Sequence, residues 1–407
     1  MTADVMARRA IEALRAGVPS RDAVAALGSG QSAIEDRFEA MCGSVTSGAA
    51  GSMLIGGGFG TGKSHLLEHL ARLALNAGWT VSRVVVSKET PFHDPAKVFR
   101  AAADSALRAG QARPAIIEAA AGLDLDGRSY AELLRWASSS GSELNERFPA
   151  TLSLFASLRE RDPSYAEVIL RFWSGDPIAI PELRKRMREI GEQRPALPSI
   201  AAAELARQRL RFAARLLAAA GSPGWLVLFD EVELIGRYSL LQRAKSYAEL
   251  ARWMRGENGR GVPLATVLAM TDDYEAAVIT GRNDRHVVPE KLRAKGTPES
   301  AELATAAELG MRIIDRETYL LTPPDDTELK QVYARLRDLH GQAFGWQPPE
   351  VTGLERLGAT RMRQYVRAWI NEWDLVRLDP GYRPETETIE VASDYRENPD
   401  LESTETD

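Results

Sequence analysis

The sequence predicts an α/β protein: a five-stranded parallel sheet, interrupted by a large helical insertion and followed by a C-terminal helical lid. Three observations carry this. A short apolar run at 52–56 (SMLIG) leads into GGFGTGKS at 57–64, and a run with leucines at helical spacing follows at 65–76. Further apolar, strand-like runs stand at 81–86 (VSRVVV), 225–229 (WLVLF), 263–270 (PLATVLAM) and 319–322 (YLLT). Between the second and third runs, residues 113–222 show only helical patterns cut by Pro and Gly, too long a gap for an ordinary crossover. The segments so defined are an N-terminal helical part at 1–50, a split core at 51–112 and 223–322, the insertion at 113–222, the lid at 323–382 and an acidic tail at 383–407.

The loop at 57–64 fits GxxxxGK(S/T) at every fixed position: Gly57, Gly62, Lys63 and Ser64. Its strand-before, helix-after context makes it a phosphate-binding loop, a P-loop. Gly57, Gly58, Gly60 and Gly62, with Phe59 and Thr61 between them, let backbone N–H groups turn inward around a polyphosphate. The helix N-terminus adds its partial positive charge. Lys63 reaches the β- and γ-phosphates, Ser64 can hold Mg²⁺, and His65 opens the helix beside them.

Upstream, 4–16 is an amphipathic helix ended by Gly17-Val18-Pro19, and Ser20 or Asp22 caps the next one. A short helix at 34–41 leads to the first strand. Val18 and Leu27 in this region either hold a nucleotide base or belong to helices that only cover the sheet edge. After the second strand comes a polar loop, SKETPFHDP, and a helix opened by Pro95 and running over 96–108. The insertion's aromatics (Trp136, Phe148, Phe155, Tyr165, Phe172, Trp173) and many arginines suit either stacking on single-stranded nucleic acid or an ordinary helical core.

The strand WLVLF ends in Asp230-Glu231. Two carboxylates at the carboxyl end of a parallel strand sit where ligands bind in such sheets. Asp230 would bind Mg²⁺ through water, and Glu231 would orient and deprotonate an attacking water, with Glu233 as the alternative base or merely a cap. Thr271 is the choice for a γ-phosphate sensor after 263–270, ahead of Asp272 and Asp273. Residues 281–296 (GRNDRHVVPEKLRAKG) read as an exposed basic loop, suited to DNA phosphates or a neighbouring subunit. Arg312 and Arg316, just before the last strand, are candidates for completing a neighbour's site. Arg361 and Arg363 compete for a lid sensor role, with Arg363 favoured.

Of the net charge of −6, nine acidic and two basic residues lie from 383 onward, so the rest of the chain is near +1. The overall acidity therefore says nothing of the folded part, and the tail is expected to be disordered. The single cysteine, Cys42, cannot form an internal disulfide, which suits a reducing compartment. No apolar signal region and no run near 18 apolar residues is present, so a cytoplasmic location without membrane contact is expected.

The order of loop, Asp-Glu strand, sensor strand and helical lid resembles an AAA+ ATPase of the origin-recognition-like branch. A closer resemblance is carried by RRAIEALRAGVPSRDAVAALGSGQSAIEDRF, IGGGFGTGKSHLLEHL, VSKETPFHDPAKVFRA, LVLFDEVE and TRMRQYVR, spanning about 7–373. These stretches are similar to the BREX-system ATP-binding proteins of bacterial phage defence, and the length suits their short, single-ATPase branch. The resemblance implies ATP and Mg²⁺ as cofactors and ATP hydrolysis, with Glu231, Lys63, Thr271 and Arg363 at the reacting phosphate. It also implies action on DNA, directly or through partners, company with other defence proteins such as a helicase, and a homo-oligomer. A nucleotide-gated assembly module with little turnover is the alternative.

Overall fold

The computed structural model describes residues 3–18, 20–111, 113–192, 196–258, 261–351, 362–379 and 381–382. The expected helix over 350–357 lies almost wholly outside them. Arg361 and the acidic tail lie outside them altogether. The five apolar runs become β1 (Gly51–Gly56), β2 (Thr80–Val85), β3 (Trp225–Asp230), β4 (Leu264–Met270) and β5 (Thr318–Leu320). All are parallel, in the order β2-β3-β4-β1-β5. Every residue of β4 is buried, which is why this run is apolar throughout and not alternating. Gly56 pairs with Met270 and Val85 with Asp230, so neighbouring strands end nearly level on one edge of the sheet. β5 starts and stops earlier than the sequence suggested. Past Leu320, the Gln31 side-chain amide bonds both the N–H (2.9 Å) and the carbonyl (3.0 Å) of Thr322 and replaces a strand partner.

The chain opens with α1 (Ala3–Ala16), α2 (Arg21–Leu27), capped by Ser20, and α3 (Ser32–Thr46), which runs past the expected end at 41. α4 (Lys63–Asn76) and α3 cover one face of the sheet, where Phe38, Leu66, Leu70, Met53, Val267 and Leu228 share a core. α5 (Pro95–Asp104) begins at Pro95, with Asp94 capping it. It ends four residues before the expected 108, because Leu107 turns back and pairs with Val81.

The insertion holds α6 (Ala115–Gly122), α7 (Arg128–Ala137), α8 (Arg147–Leu158), α9 (Pro163–Trp173) and α10 (Ile180–Glu189). Its aromatics decide between the two readings. Phe148, Phe155, Phe172 and Trp173 are fully buried and pack on one another and on Phe212, with ring centroids 5.0–5.5 Å apart. They are core and not a stacking platform. Phe212 lies on α11 (Ala202–Ala219), which also packs on α5 and β3, so the insertion and the second sheet face share one continuous core.

α12 (Leu240–Met254), α13 (Asp284–Arg293) and α14 (Pro298–Arg316) complete that face. Gly310 lets α14 approach the backbone of Tyr247 on α12, where a Cβ would collide with the Tyr247 carbonyl. The expected basic loop at 281–296 is corrected: most of it is α13. Val288 and Leu292 are buried. Arg285 pairs with Glu275 (2.6 Å) and Asp315 (3.4 Å), and Arg293 with Glu308 (2.8 Å), so these cations are spent within the fold. α13 is anchored by a buried ion pair. Arg243 donates from Nε (2.8 Å) and Nη2 (3.0 Å) to the Asp284 carboxylate, which also accepts from Tyr247 Oη at 2.8 Å.

The last helices, α15 (Asp326–Phe344) and α16 (Met362–Leu378), pack against the first two. Ala7, Ile11 and Leu27 share a core with Leu336, Tyr365, Trp369 and Trp373. Arg15 pairs with Asp374 (2.6 Å), which also faces His340, and Arg335 donates to the Leu27 carbonyl. Both ends of the described chain therefore form one helical body. Among the described residues no helix is long and apolar enough to cross a membrane.

Candidate nucleotide site

The loop between β1 and α4 is held open by its own glycines. Gly60 (φ 81°) and Gly62 (φ 109°) adopt left-handed backbone that an L side chain resists. At Gly57 a Cβ would come within 2.7 Å of Thr61 Oγ1, which itself donates to the Gly58 carbonyl at 2.9 Å. Lys63 is the first residue of α4. Its buried ammonium donates to the carbonyls of Gly57 (2.7 Å) and Gly58 (3.2 Å), across the hollow of the loop. Ser64 follows, half-buried, at the helix N-terminus.

Strand register brings the acidic groups to this lysine. Asp230 ends β3 and accepts the N–H of Glu231 at 2.9 Å. Glu231 has a left-handed backbone (φ 58°), and this turn starts the 3₁₀ helix Val232–Arg237 that carries Glu233. Burial lowers the pKa of Lys63, while Glu233, Asp230 and Asp272 oppose that fall. Burial, with Asp230 beside it, raises the Glu231 carboxyl. Burial pushes Glu233 up to about 7, against the pull of Lys63, and its Oε2 has no hydrogen-bond partner among the described residues.

That shift has a stability consequence. The unfolded carboxyl ionises near pH 4.3, well before the folded one, so the folded state holds more protons between pH 4 and 7 and loses stability as pH rises through 7. Glu233→Gln is therefore expected to stabilise the nucleotide-free protein by about 1–3 kcal/mol at pH 8, and to change little at pH 4. Urea melts at the two pH values check it; an equal effect at both would show that Glu233 titrates normally.

Beside the loop lies a cavity of about 190 Å³. Leu14, Gly17, Val18 and Leu27 line it from the N-terminal helices, Thr61, Gly62 and His65 from the loop and α4, and Val332, Arg335 and Val366 from the lid. His65 Nε2–H donates to the Gly28 carbonyl at 2.6 Å and fixes the end of α2 to α4. Arg363, in the first turn of α16, closes the other side. Its backbone N–H donates to Gly60 O (3.3 Å), and its guanidinium lies over the half-exposed Phe59 ring (5.6 Å).

Residues 4–114 match the family model described as BREX system ATP-binding protein BrxC/D. Over these residues the chain is similar to the BREX-system ATP-binding proteins. The match spans α1 to α5, including the loop and much of the cavity wall, and stops short of Asp230 and the lid. A search of the curated proteins found no match.

The residues present suit a nucleotide and a divalent metal. The glycine cradle leaves room that a Cβ at Gly57 would fill, the Lys63 ammonium faces it, and the Ser64 hydroxyl and Asp230 carboxylate supply hard oxygen donors. Val18 and Leu27 both line the cavity. Arg312 and Arg316 are exposed on α14; Arg316 meets Asp315 at 3.8 Å, and neither touches the loop.

Thr271 follows β4 but is buried (3% exposed), while Asp272 stands beside the loop, with its carboxylate 3.8 Å from where a Gly58 Cβ would be. Sequence reasoning passed over Asp272. Its only signal was adjacency: three polar residues end one strand, and nothing local says which of them turns toward the loop. Gln31 was also missed, since its partner lies 291 residues away.

Proposed function

We propose that this protein is a Mg²⁺-dependent, AAA+-like P-loop ATPase of a BREX phage-defence system, which couples ATP turnover to action on DNA or on a DNA-bound assembly. The observation that carries the reading is the convergence of Lys63 with Asp230, Glu233 and Asp272 at the ends of adjacent strands, under the lid's Arg363. The base of ATP would lie in the cavity between Val18, Leu27 and the lid, and the triphosphate in the loop. Bound Mg²⁺, held by Ser64 and through water by Asp230, would neutralise charge on the β- and γ-phosphates. Lys63 would leave the Gly57 and Gly58 carbonyls for the phosphates. Glu231 would orient the attacking water and take its proton, and Arg363 would stabilise charge on the γ-phosphate. Thr271, and Asp272 beside it, would register whether that phosphate is present.

The test is a pair of variants. Glu231→Gln is expected to bind ATP as wild type does and to lower turnover by roughly 10²–10⁴-fold, the range of a lost general base. Normal hydrolysis in Glu231→Gln, with turnover lost in Glu233→Gln, moves the base to Glu233, whose raised carboxyl is already poised near neutral pH. Normal hydrolysis in both rules out both carboxylates as the base, and no turnover by wild type with or without DNA removes the hydrolytic reading.

A second reading has its own observation. Arg312 and Arg316, the candidates for completing a neighbour's site, stand exposed and away from this loop. On that reading ATP gates assembly and turnover stays low in the single chain. Mass photometry with ATP and DNA, alone and together, separates the two: ATP-dependent oligomers with flat turnover favour gating, and DNA-stimulated turnover favours the ATPase.

A further inference from the structure

Where the insertion meets the sheet, three arginines from three elements gather around Asp176. Asp176, in the turn after α9, takes Arg100 of α5 on Oδ1 and Arg171 of α9 on Oδ2 (2.8 Å). Arg209 of α11 lies beneath them, 6% exposed, and donates from Nη2 to the Asp176 backbone carbonyl at 2.5 Å. Its guanidinium rests on the Phe172 ring at 4.9 Å, and its Nε has no hydrogen-bond partner among the described residues. Arg147, in the first turn of α8, repels Arg209 from nearby, donates from Nη2 to the Pro198 carbonyl at 3.4 Å, and has a buried Nε with no hydrogen-bond partner among the described residues. Burial first, then the nearby Arg100 and Arg147, lower Arg209 to about 10, so the fold holds this cation against both solvation and repulsion. One Asp-Arg pair would have served to pin α9 to α5. Two guanidinium groups on the carboxylate and a third on the backbone carbonyl leave an excess of positive charge, and Arg100 (43% exposed side chain) and Arg171 (67%) present it to solvent.

We infer that this junction of insertion and core is a phosphate-binding site, and that it takes the phosphodiester backbone of DNA. The planar forks of Arg100 and Arg171 suit phosphate oxygens, and the α8 N-terminus beside Arg147 adds positive potential. The aromatics beside this junction, Phe148, Phe172 and Trp173, are used up inside the core, so backbone contact and not base stacking is the mode open to this surface. The assignment rests on the proposal that the chain acts on DNA, and it gives the insertion a task apart from ATP chemistry: holding the strand on which turnover acts.

Fluorescence anisotropy of the full chain on a duplex of about 30 base pairs, between roughly 50 and 200 mM salt, tests it. Arg100→Ala/Arg171→Ala is expected to weaken binding about tenfold at 100 mM salt and to flatten the log Kd against log [salt] slope by one to two. Asp176→Asn, which removes the competing carboxylate, is expected to tighten binding severalfold, a direction that misfolding would not give. ATP binding should match wild type in both variants. If wild type binds DNA and the double variant does so equally, with the same slope, the site is wrong while the DNA reading stands. If wild type binds no DNA, the DNA reading falls and this assignment with it. If inorganic phosphate raises the melting temperature of wild type but not of the double variant while no DNA binds, the ligand is a free phosphate and the DNA assignment is overturned.

Discussion

Lys63→Ala is expected to abolish measurable ATP binding, with a loss of at least 10²-fold by titration calorimetry in the presence of Mg²⁺. The Lys63 ammonium is buried and lies across the loop, bonded to the Gly57 and Gly58 carbonyls at 2.7 and 3.2 Å. Those carbonyls stand where a polyphosphate would offer better, charged acceptors. Hydrogen bonds to charged groups contribute about 1.5–3 kcal/mol each, so losing contacts to two phosphates corresponds to roughly 10²–10⁴ in affinity. A second effect adds to the first. Lys63 is the cation set against Asp230, Glu233 and Asp272, and without it those carboxylates would face the triphosphate unopposed. Lys63→Arg should recover only part of the loss, because a planar fork replaces a compact charge in a space shaped by glycines. Binding by Lys63→Ala within threefold of wild type would mean that the loop does not hold the phosphates.

What the sequence disclosed here was mostly local. GGFGTGKS names its own backbone demands, and the structure meets them at Gly60 and Gly62. Strands β1, β3 and β4 were legible because parallel strands covered on both faces are largely apolar, and the edge strand β2 by its β-branched residues; all six insertion patterns became helices because their amphipathic spacing is a short-range property. The failures are all tertiary. The stretch at 281–296 looks like a basic loop by composition. It is a helix because Val288 and Leu292 find a buried face and Asp284 finds Arg243, neither of which composition reveals. The first two helices read either as a wall for a nucleotide base or as a cover for the sheet edge, and neither reading reveals that they pack on the lid, through contacts such as Arg15–Asp374 that span 359 residues. Whether Thr271 or Asp272 turns toward the loop depends on one residue of register at a strand end, which no periodicity settles.

The largest stability effect is expected at that same Arg243–Asp284 pair. Both side chains are almost wholly buried (3% and 1% exposed), and the bidentate geometry is completed by Tyr247, which also meets Tyr274 Oη at 3.1 Å. Arg243 Nη1 donates in addition to the Tyr238 carbonyl at 2.7 Å. Arg243→Ala strands the Asp284 charge in the core, and Asp284→Ala strands the guanidinium; either is expected to cost roughly 3–5 kcal/mol in urea unfolding. Replacing both with apolar residues of similar volume, Arg243→Met and Asp284→Leu, should recover most of that loss, because the desolvation of two charges goes with them. Two singles within about 1 kcal/mol of wild type would show that the pair is solvated. A double variant no better than the singles would show that the hydrogen bonds to Tyr238 and Tyr247 matter more than the charges. The distinction bears on the site, because Tyr238 directly follows the 3₁₀ turn that carries Glu233, and Tyr274 stands two residues after Asp272. The ion pair thus fixes both acidic turns to α13. A double variant that regains stability but hydrolyses ATP more slowly, at unchanged ATP affinity, would mark it as the support that holds those turns in place and not as mere packing.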